Sequence, residues 1–145
     1  MFEFVYYLIP YLILLMWGYY IQFVNIPYKI IFFVLFLFLF SALRYDVGYD
    51  YITYYNIIEN SDVWHIERTE FLERQLLYLS QWINLPQLFF IVNSFFTILF
   101  VYLAINKLSC DKRLSWFVFL CLNVLFLQSM STVRFHLALA LMFWG

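Results

Sequence analysis

The chain has 145 residues, of which 66% are hydrophobic and 12% are charged, and its formal net charge is -1. Soluble domains have about a quarter of their residues charged, so this composition excludes an ordinary soluble domain and indicates a membrane protein. No nucleic acid is expected as a partner, because the eight basic residues are scattered and balanced by nine acidic ones. Helices satisfy their own backbone hydrogen bonds in lipid. We therefore predict an all-α polytopic membrane protein with four transmembrane helices and the start of a fifth.

The first two spans are predicted from two long apolar runs. Residues 4–24 form a run of about 20 residues, the length that a helix needs to cross the hydrocarbon core. A cleavable signal peptide is the alternative, but Glu3 stands where a basic n-region is required and no small-residue cleavage site follows. Pro27 lies in the connection to the second span, which is predicted over residues 26–43. The centre of this span has no polar residue, so it is expected to contact only lipid or other helices.

Residues 44–85 contain most of the acidic side chains and are predicted to form an external loop with amphipathic helices at the membrane interface. The first helix has Asp50 as its expected N-cap. Its residues Tyr51, Tyr54, Tyr55 and Ile58 recur at helical spacing and form an aromatic stripe that Ile58 extends. The second helix has an apolar stripe of Leu72, Leu76, Leu79 and Ile83. On this helix Glu70 can pair with Arg74 one turn away, and Trp82 stands where an interface anchor is expected.

The remainder of the chain alternates apolar runs with short polar segments. The predicted elements are a third span over residues 86–105, a loop over 106–113, a fourth span over 114–128 and the start of a fifth over 133–145. Asn93 and Thr97 share a face of the third span, which favours interhelical hydrogen bonding, with substrate binding as the alternative.

The positions of the basic residues predict the orientation in the membrane. Lys29 and the basic loop 106–113 are separated by an even number of spans and are both expected in the cytoplasm. The external loop and the N-terminus then lie outside. This topology brings Arg44, at the end of the second span, to the same membrane depth as Arg134, at the start of the fifth.

Arg44 and Arg134 are therefore candidates for one binding site. A guanidinium stays charged and gives two parallel hydrogen bonds, which suits a phosphate group. The alternatives are interfacial snorkelling and, for Arg44, an ion pair with Asp46 or Asp50 that only fixes the loop.

No metal site or cofactor is predicted. His65 and His136 lie in separate segments without a ligand spacing, and no phosphate-binding glycine loop is present. Cys110 and Cys121 are too far apart on a helical path for a disulfide and are expected to be free thiols.

The segment Arg44-x-Asp46-Val47-Gly48-x-Asp50-Tyr51-x-x-x-Tyr55, placed after a second span, resembles the signature of the EpsG family of membrane exopolysaccharide polymerases, which are functionally similar to Wzy polymerases. Two weaker similarities follow. Glu73 with Leu76, or less well Glu70, matches an acidic residue before an amphipathic segment. Arg134-Phe135-His136-Leu137-Ala138 matches an arginine that opens a later span. Tyr49 departs from the pattern, which often has a small hydroxyl residue there. Family members are much longer, so we expect the chain to be an N-terminal portion.

The resemblance implies a glycosyltransferase that joins polyprenyl-pyrophosphate-linked oligosaccharide units for exopolysaccharide or capsule, at the outer face of the bacterial cytoplasmic membrane. Its partners would be the bilayer, this lipid-linked oligosaccharide and other polysaccharide-assembly membrane proteins. Charge that develops on the leaving pyrophosphate needs a cationic clamp, and the acceptor hydroxyl needs a base. The implied clamp is Arg44 and Arg134, and the implied base is Asp46 or Asp50. The other implied substrate-binding residues are Tyr51, Tyr55 and Glu73, with an interfacial belt as the alternative for the tyrosines.

Two other functions are alternatives to the polymerase. The chain can instead be a non-catalytic scaffold subunit of a glycan-assembly complex, or an inactive fragment. A transporter or flippase for the same lipid-linked sugar would show repeated halves and broken helices. No internal repeat is present in the sequence.

Overall fold

A computed structural model describes residues 2–23, 29–59, 66, 69–122 and 125–145. Within these ranges the regular secondary structure is entirely helical, which confirms the predicted all-α class. The helices are α1 Phe2–Phe23, α2 Lys29–Ala42, α3 Tyr49–Glu59, α4 Phe71–Ile83, α5 Pro86–Leu108, α6 Lys112–Cys121, α7 Leu127–Ser131 and α8 Val133–Trp144. The predicted connection around Pro27 and the loop residue His65 lie outside the described residues.

Helix α5 is the centre of the fold and packs against α2, α8, α4 and α3, while α1 packs mainly against α6. One apolar cluster joins α1, α2, α5 and α6 and includes Leu14, Phe33, Leu37, Ile98, Trp116 and Leu120. Gly18 permits close packing of α1 on α6, because a Cβ there would lie 3.0 Å from Leu120 Cδ1. Small residues commonly allow such close approach between membrane helices.

In the described part of the chain, α5 is the helix that is both long and apolar enough to cross a membrane, with 23 residues. Shorter apolar stretches lie at Tyr11–Tyr20, Ile30–Ala42 and Val133–Trp144. Many of their large side chains are exposed, for example Met16 and Phe32. A surface of this kind suits lipid, and the count of four complete spans stays a prediction.

The predicted fourth span does not form one continuous helix. Helix α6 ends at Cys121, Leu122 is extended, and α7 begins at Leu127. The Tyr11 hydroxyl donates a 2.6 Å hydrogen bond to the carbonyl of Leu120 and so satisfies an acceptor at this helix end. A side chain of α1 therefore stabilises the break, and sequence spacing within residues 114–128 does not reveal it.

Helices α4 and α5 are joined by a tight turn that fixes α4 to the central helix. Asn84 adopts a left-handed conformation with φ 56°, and the amide of Leu85 donates to the carbonyl of Ser80 at 3.0 Å. Pro86 then opens α5, as expected for proline in a first helical turn. Helix α4 buries Glu73 and Ser80, whereas most of its apolar stripe and Trp82 are exposed.

Candidate functional site

The signature segment leaves α2 in a non-helical turn that lies directly on α7. Asp46 and Gly48 have positive φ angles of 52° and 95°. A Cβ at Gly48 would lie 2.3 Å from the carbonyl oxygen of Met130 and 2.8 Å from Ser131 Cα. Both the backbone conformation and the available space therefore require glycine at position 48.

Arg44 is buried at the base of this turn, with 1% of its surface exposed. Its Nη1 donates a 2.6 Å hydrogen bond to the Met130 carbonyl, and its guanidinium lies 4.8 Å from the centre of the Phe90 ring. Such burial within the protein does not fit a side chain that snorkels to the bilayer surface. Arg44 thus joins the end of α2 to α7, across 86 residues of sequence.

The two signature aspartates have different environments. Asp50 lies in the first turn of α3, which already begins at Tyr49, so it is not the N-cap that its position in the sequence suggested. Its Oδ2 instead accepts a 3.3 Å hydrogen bond from the amide of Val133, the first residue of α8. Asp50 therefore caps the helix that bears Arg134. Asp46 is exposed at the edge of the turn.

The aromatic stripe of α3 faces the protein interior. Tyr51 and Tyr54 are each 4% exposed. Their rings lie 4.7 Å from the Phe90 ring and 4.5 Å from the Phe89 ring, respectively. Tyr55 is half-buried and stacks on Tyr51. Tyr51 contacts protein on this face, whereas Tyr55 keeps a partly open edge, and sugar binding by either ring stays a prediction.

Arg134 occupies the open side of the same region. Its Nη1 lies 2.8 Å from Glu70 Oε2, and the side chains are 43% and 69% exposed. The guanidinium lies 5.8 Å from the centre of the Tyr54 ring. The Glu70 carboxylate, which helical spacing would pair with Arg74, thus pairs with Arg134. A hydrogen bond from its own backbone amide and the bond from Arg134 lower the pKa of Glu70.

Glu73 is a buried carboxyl group between α4 and α5, with 7% of its surface exposed. Its Oε2 accepts a 3.3 Å hydrogen bond from Nδ2 of Asn93, which also donates to the Phe89 carbonyl at 3.1 Å. Burial raises the pKa of Glu73, although the Asn93 bond and the charge of Arg134 oppose this shift. The expected interhelical role of Asn93 is confirmed.

The structure thus gathers most of the predicted residues around the first two turns of α5 and the start of α8. Arg44, Asp50 and Tyr51 lie on the inner side of this region, and Arg134 lies on the open side. The sequence did not single out Gln87, whose side chain contacts the signature segment at several points. A lone glutamine after a helix-starting proline gives no recognisable signal.

No group of three or more His, Cys, Asp or Glu side chains suited to a metal occurs among the described residues. An apolar cleft of about 410 Å³ lies between α5, α6 and α8, with His136 in its wall. His136 follows Arg134 by two helical positions, about 200° around the axis. The cleft therefore opens on the opposite side of α8.

Comparison with known protein families gives a match. The family model of the EpsG family matches residues 27–145, which include the signature segment, α3 to α8 and the whole region described above. No curated protein and no solved structure matches the chain.

Proposed function

Because the chain belongs to the EpsG family, we propose that it acts as a membrane polysaccharide polymerase on polyprenyl-pyrophosphate-linked oligosaccharides. In the proposed transfer, a hydroxyl oxygen of one unit forms a bond to the anomeric carbon of the other. The bond from that carbon to the phosphate oxygen breaks, and polyprenyl pyrophosphate leaves. The hydroxyl proton passes to a carboxylate of the protein.

This proposal rests mainly on one observation. The signature segment contacts the start of α8, the helix that bears Arg134. The bond from Arg44 to Met130 and the bond from Val133 to Asp50 fasten these two parts together. Arg134 is then held beside a rigid aromatic and acidic surface while its side chain stays 43% exposed. A positioned, accessible guanidinium is the group that a leaving pyrophosphate requires.

The other candidates take roles that follow from their exposure. Arg44 contributes positive charge from beneath the surface and aligns the start of α8. Asp46, the exposed aspartate, is the better-placed base, because Asp50 already accepts the first amide of α8. Glu73 lies buried beneath this surface and acts through its hydrogen bond from Asn93. The half-buried Tyr55 supplies a ring edge against which a sugar can pack.

We also propose that this region faces the outer side of the bacterial cytoplasmic membrane. The exposed apolar face of α4, which includes Leu72 and Trp82, would lie in the interface and keep Arg134 at headgroup depth. A lipid-linked substrate has its pyrophosphate at this depth while its polyprenyl chain stays in the bilayer.

Substitution of Arg134 at the native chromosomal locus tests the function. Loss of one hydrogen bond to a charged group costs about 1.5 to 3 kcal/mol, or about 10- to 100-fold in rate. We expect Arg134→Lys to shorten the polymer and Arg134→Gln to abolish it, as measured by gel electrophoresis of the extracted glycan. Arg113→Lys, in the first turn of α6, is the matched control and should leave polymer length unchanged. Normal polymer in cells with Arg134→Gln would refute the proposed clamp.

A scaffold function is the alternative, and the exposed apolar surface of α4 favours it as much as it favours a membrane-bound enzyme. A scaffold would tolerate Arg134→Gln and Asp46→Asn but lose polymer when Trp82→Glu prevents docking. If the protein is the enzyme, Arg134→Gln instead abolishes the polymer. The same glycan gels separate the two functions.

A further inference from the structure

Gln87, the second residue of α5, uses both protons of its side-chain amide on the end of α2. Its Nε2 donates to the carbonyl of Ala42 at 2.7 Å and to the carbonyl of Arg44 at 2.8 Å. Its Oε1 lies 3.4 Å from the Tyr51 hydroxyl, which donates to it. One side chain therefore contacts the residues on both sides of the signature turn.

These contacts fix a segment that has no regular hydrogen bonding to hold it. Ala42 is the last residue of α2, and carbonyls at a helix end lack partners within the helix. Asp46 and Gly48 then adopt left-handed conformations, which interrupt any regular pattern of backbone hydrogen bonds. A primary amide supplies two donors in one plane, which neither a carboxylate nor a thioether of similar length does.

Phe90 lies one turn after Gln87 on the same face of α5. Its ring contacts the guanidinium of Arg44 at 4.8 Å and the ring of Tyr51 at 4.7 Å. Gln87 thus holds the backbone of Arg44, and Phe90 holds its side chain. Their combined effect is to direct the Arg44 Nη1 to the Met130 carbonyl, next to the start of α8.

We propose that Gln87 is a positioning residue for the transfer reaction, which acts by fixing Arg44 and, through Arg44, the start of the helix that bears Arg134. This inference rests on the proposed polymerase function. Gln87 then affects kcat only when Arg44 is present.

A double-mutant cycle tests this dependence. Polymerisation of a lipid-linked repeat unit is measured with protein reconstituted in liposomes, for Gln87→Met in the wild-type and Arg44→Met backgrounds. Methionine at position 44 leaves a buried apolar chain in place of a buried charge, which proteins commonly tolerate. We expect Gln87→Met to lower kcat about 100-fold in the wild-type background and less than about threefold with Arg44→Met. Gln75→Met, on the exposed side of α4, is the matched control and should not change kcat.

Gln87→Glu provides a second readout, the pH dependence of activity. A residue with a merely structural role would not change this dependence. Protonation of the new carboxyl group restores one donor, so we expect the activity of this variant, relative to wild type, to rise as the pH is lowered. Thermal unfolding of each variant shows whether it is folded. Equal losses from Gln87→Met in the two backgrounds, or a Gln87→Glu ratio that does not change with pH, would overturn the positioning role. Absence of polymer with the wild-type protein would instead overturn the polymerase function and this inference with it.

Discussion

Replacement of Gly48 by alanine would place a methyl group against the backbone of α7. The added Cβ would lie 2.3 Å from the Met130 carbonyl oxygen and 2.8 Å from Ser131 Cα, in a residue whose φ angle is 95°. Neither obstacle is the flexible end of a side chain. The turn or α7 would therefore have to move, and the Met130 carbonyl is also the acceptor of the 2.6 Å bond from Arg44.

The expected cost adds two effects. A left-handed conformation costs an alanine about 1 to 2 kcal/mol, and a disturbed hydrogen bond from a charged group costs about 1.5 to 3 kcal/mol. Their sum is about 2.5 to 5 kcal/mol, which lowers the apparent Tm of a chain this size by on the order of 10 °C. Gly18→Ala is a suitable comparison, because its Cβ would meet the terminal Cδ1 of Leu120 at 3.0 Å. That side chain can shift, at a cost of about 1 kcal/mol.

The assay is thermal unfolding of the purified variants in one detergent, followed by the fluorescence of the native tryptophans. Gly48→Ala should unfold well below Gly18→Ala, and Gly18→Ala should unfold slightly below wild type. An apparent Tm for Gly48→Ala within about 2 °C of wild type would show that the turn does not lie on α7 as described.

Three other results are expected. Asp50→Ala should lower stability by about 1 kcal/mol, as for lost helix caps, whereas Asp50→Asn keeps an acceptor and should lose little; equal losses in thermal unfolding would exclude the capping role. Burial raises the pKa of Glu73, so the folded state binds its proton more tightly and stability should fall as pH rises above the ordinary glutamate value. Glu73→Gln should flatten this decline in thermal scans across pH, and an unchanged slope would contradict the assignment. In a Cys121→Ser background, a membrane-impermeant maleimide should label Cys110 only after cells are permeabilised, because residues 106–113 are expected in the cytoplasm; Gln75→Cys, expected outside, should react in intact cells.

The helical class and the signature segment were predictable because they depend on local properties of the sequence. Apolar runs and helical spacing indicate helices without any knowledge of packing. The predicted membrane topology brings Arg44 and Arg134 to one depth, and the structure places the Arg44 segment against the start of α8.

The contacts that build the site were not predictable because they join distant parts of the chain. Helical spacing suggested a pair between Glu70 and Arg74, whereas the fold brings Arg134 to Glu70 across 64 residues. Periodicity showed that Tyr51 and Tyr54 share a face, but only packing against α5 decides that this face points inward.

The same limit applies to helix ends and to the residues that fix them. Asp50 looked like a cap for its own helix, and it caps α8 instead. Next to the interruption after Cys121, the Leu120 carbonyl accepts a hydrogen bond from Tyr11, a residue more than a hundred positions earlier. Gln87 carries no motif, although its amide holds the end of α2. Such roles arise from tertiary structure alone.

We propose that this protein itself joins lipid-linked oligosaccharides at the site beside Arg134. The most direct measurement is polymer formation by the purified protein in liposomes that contain only a polyprenyl-pyrophosphate-linked repeat unit, followed by gel electrophoresis of the products. The wild-type protein should give a ladder of products and release polyprenyl pyrophosphate, and Arg134→Gln should give neither. Absence of a ladder with a folded wild-type protein, or an undiminished ladder with Arg134→Gln, would contradict the account.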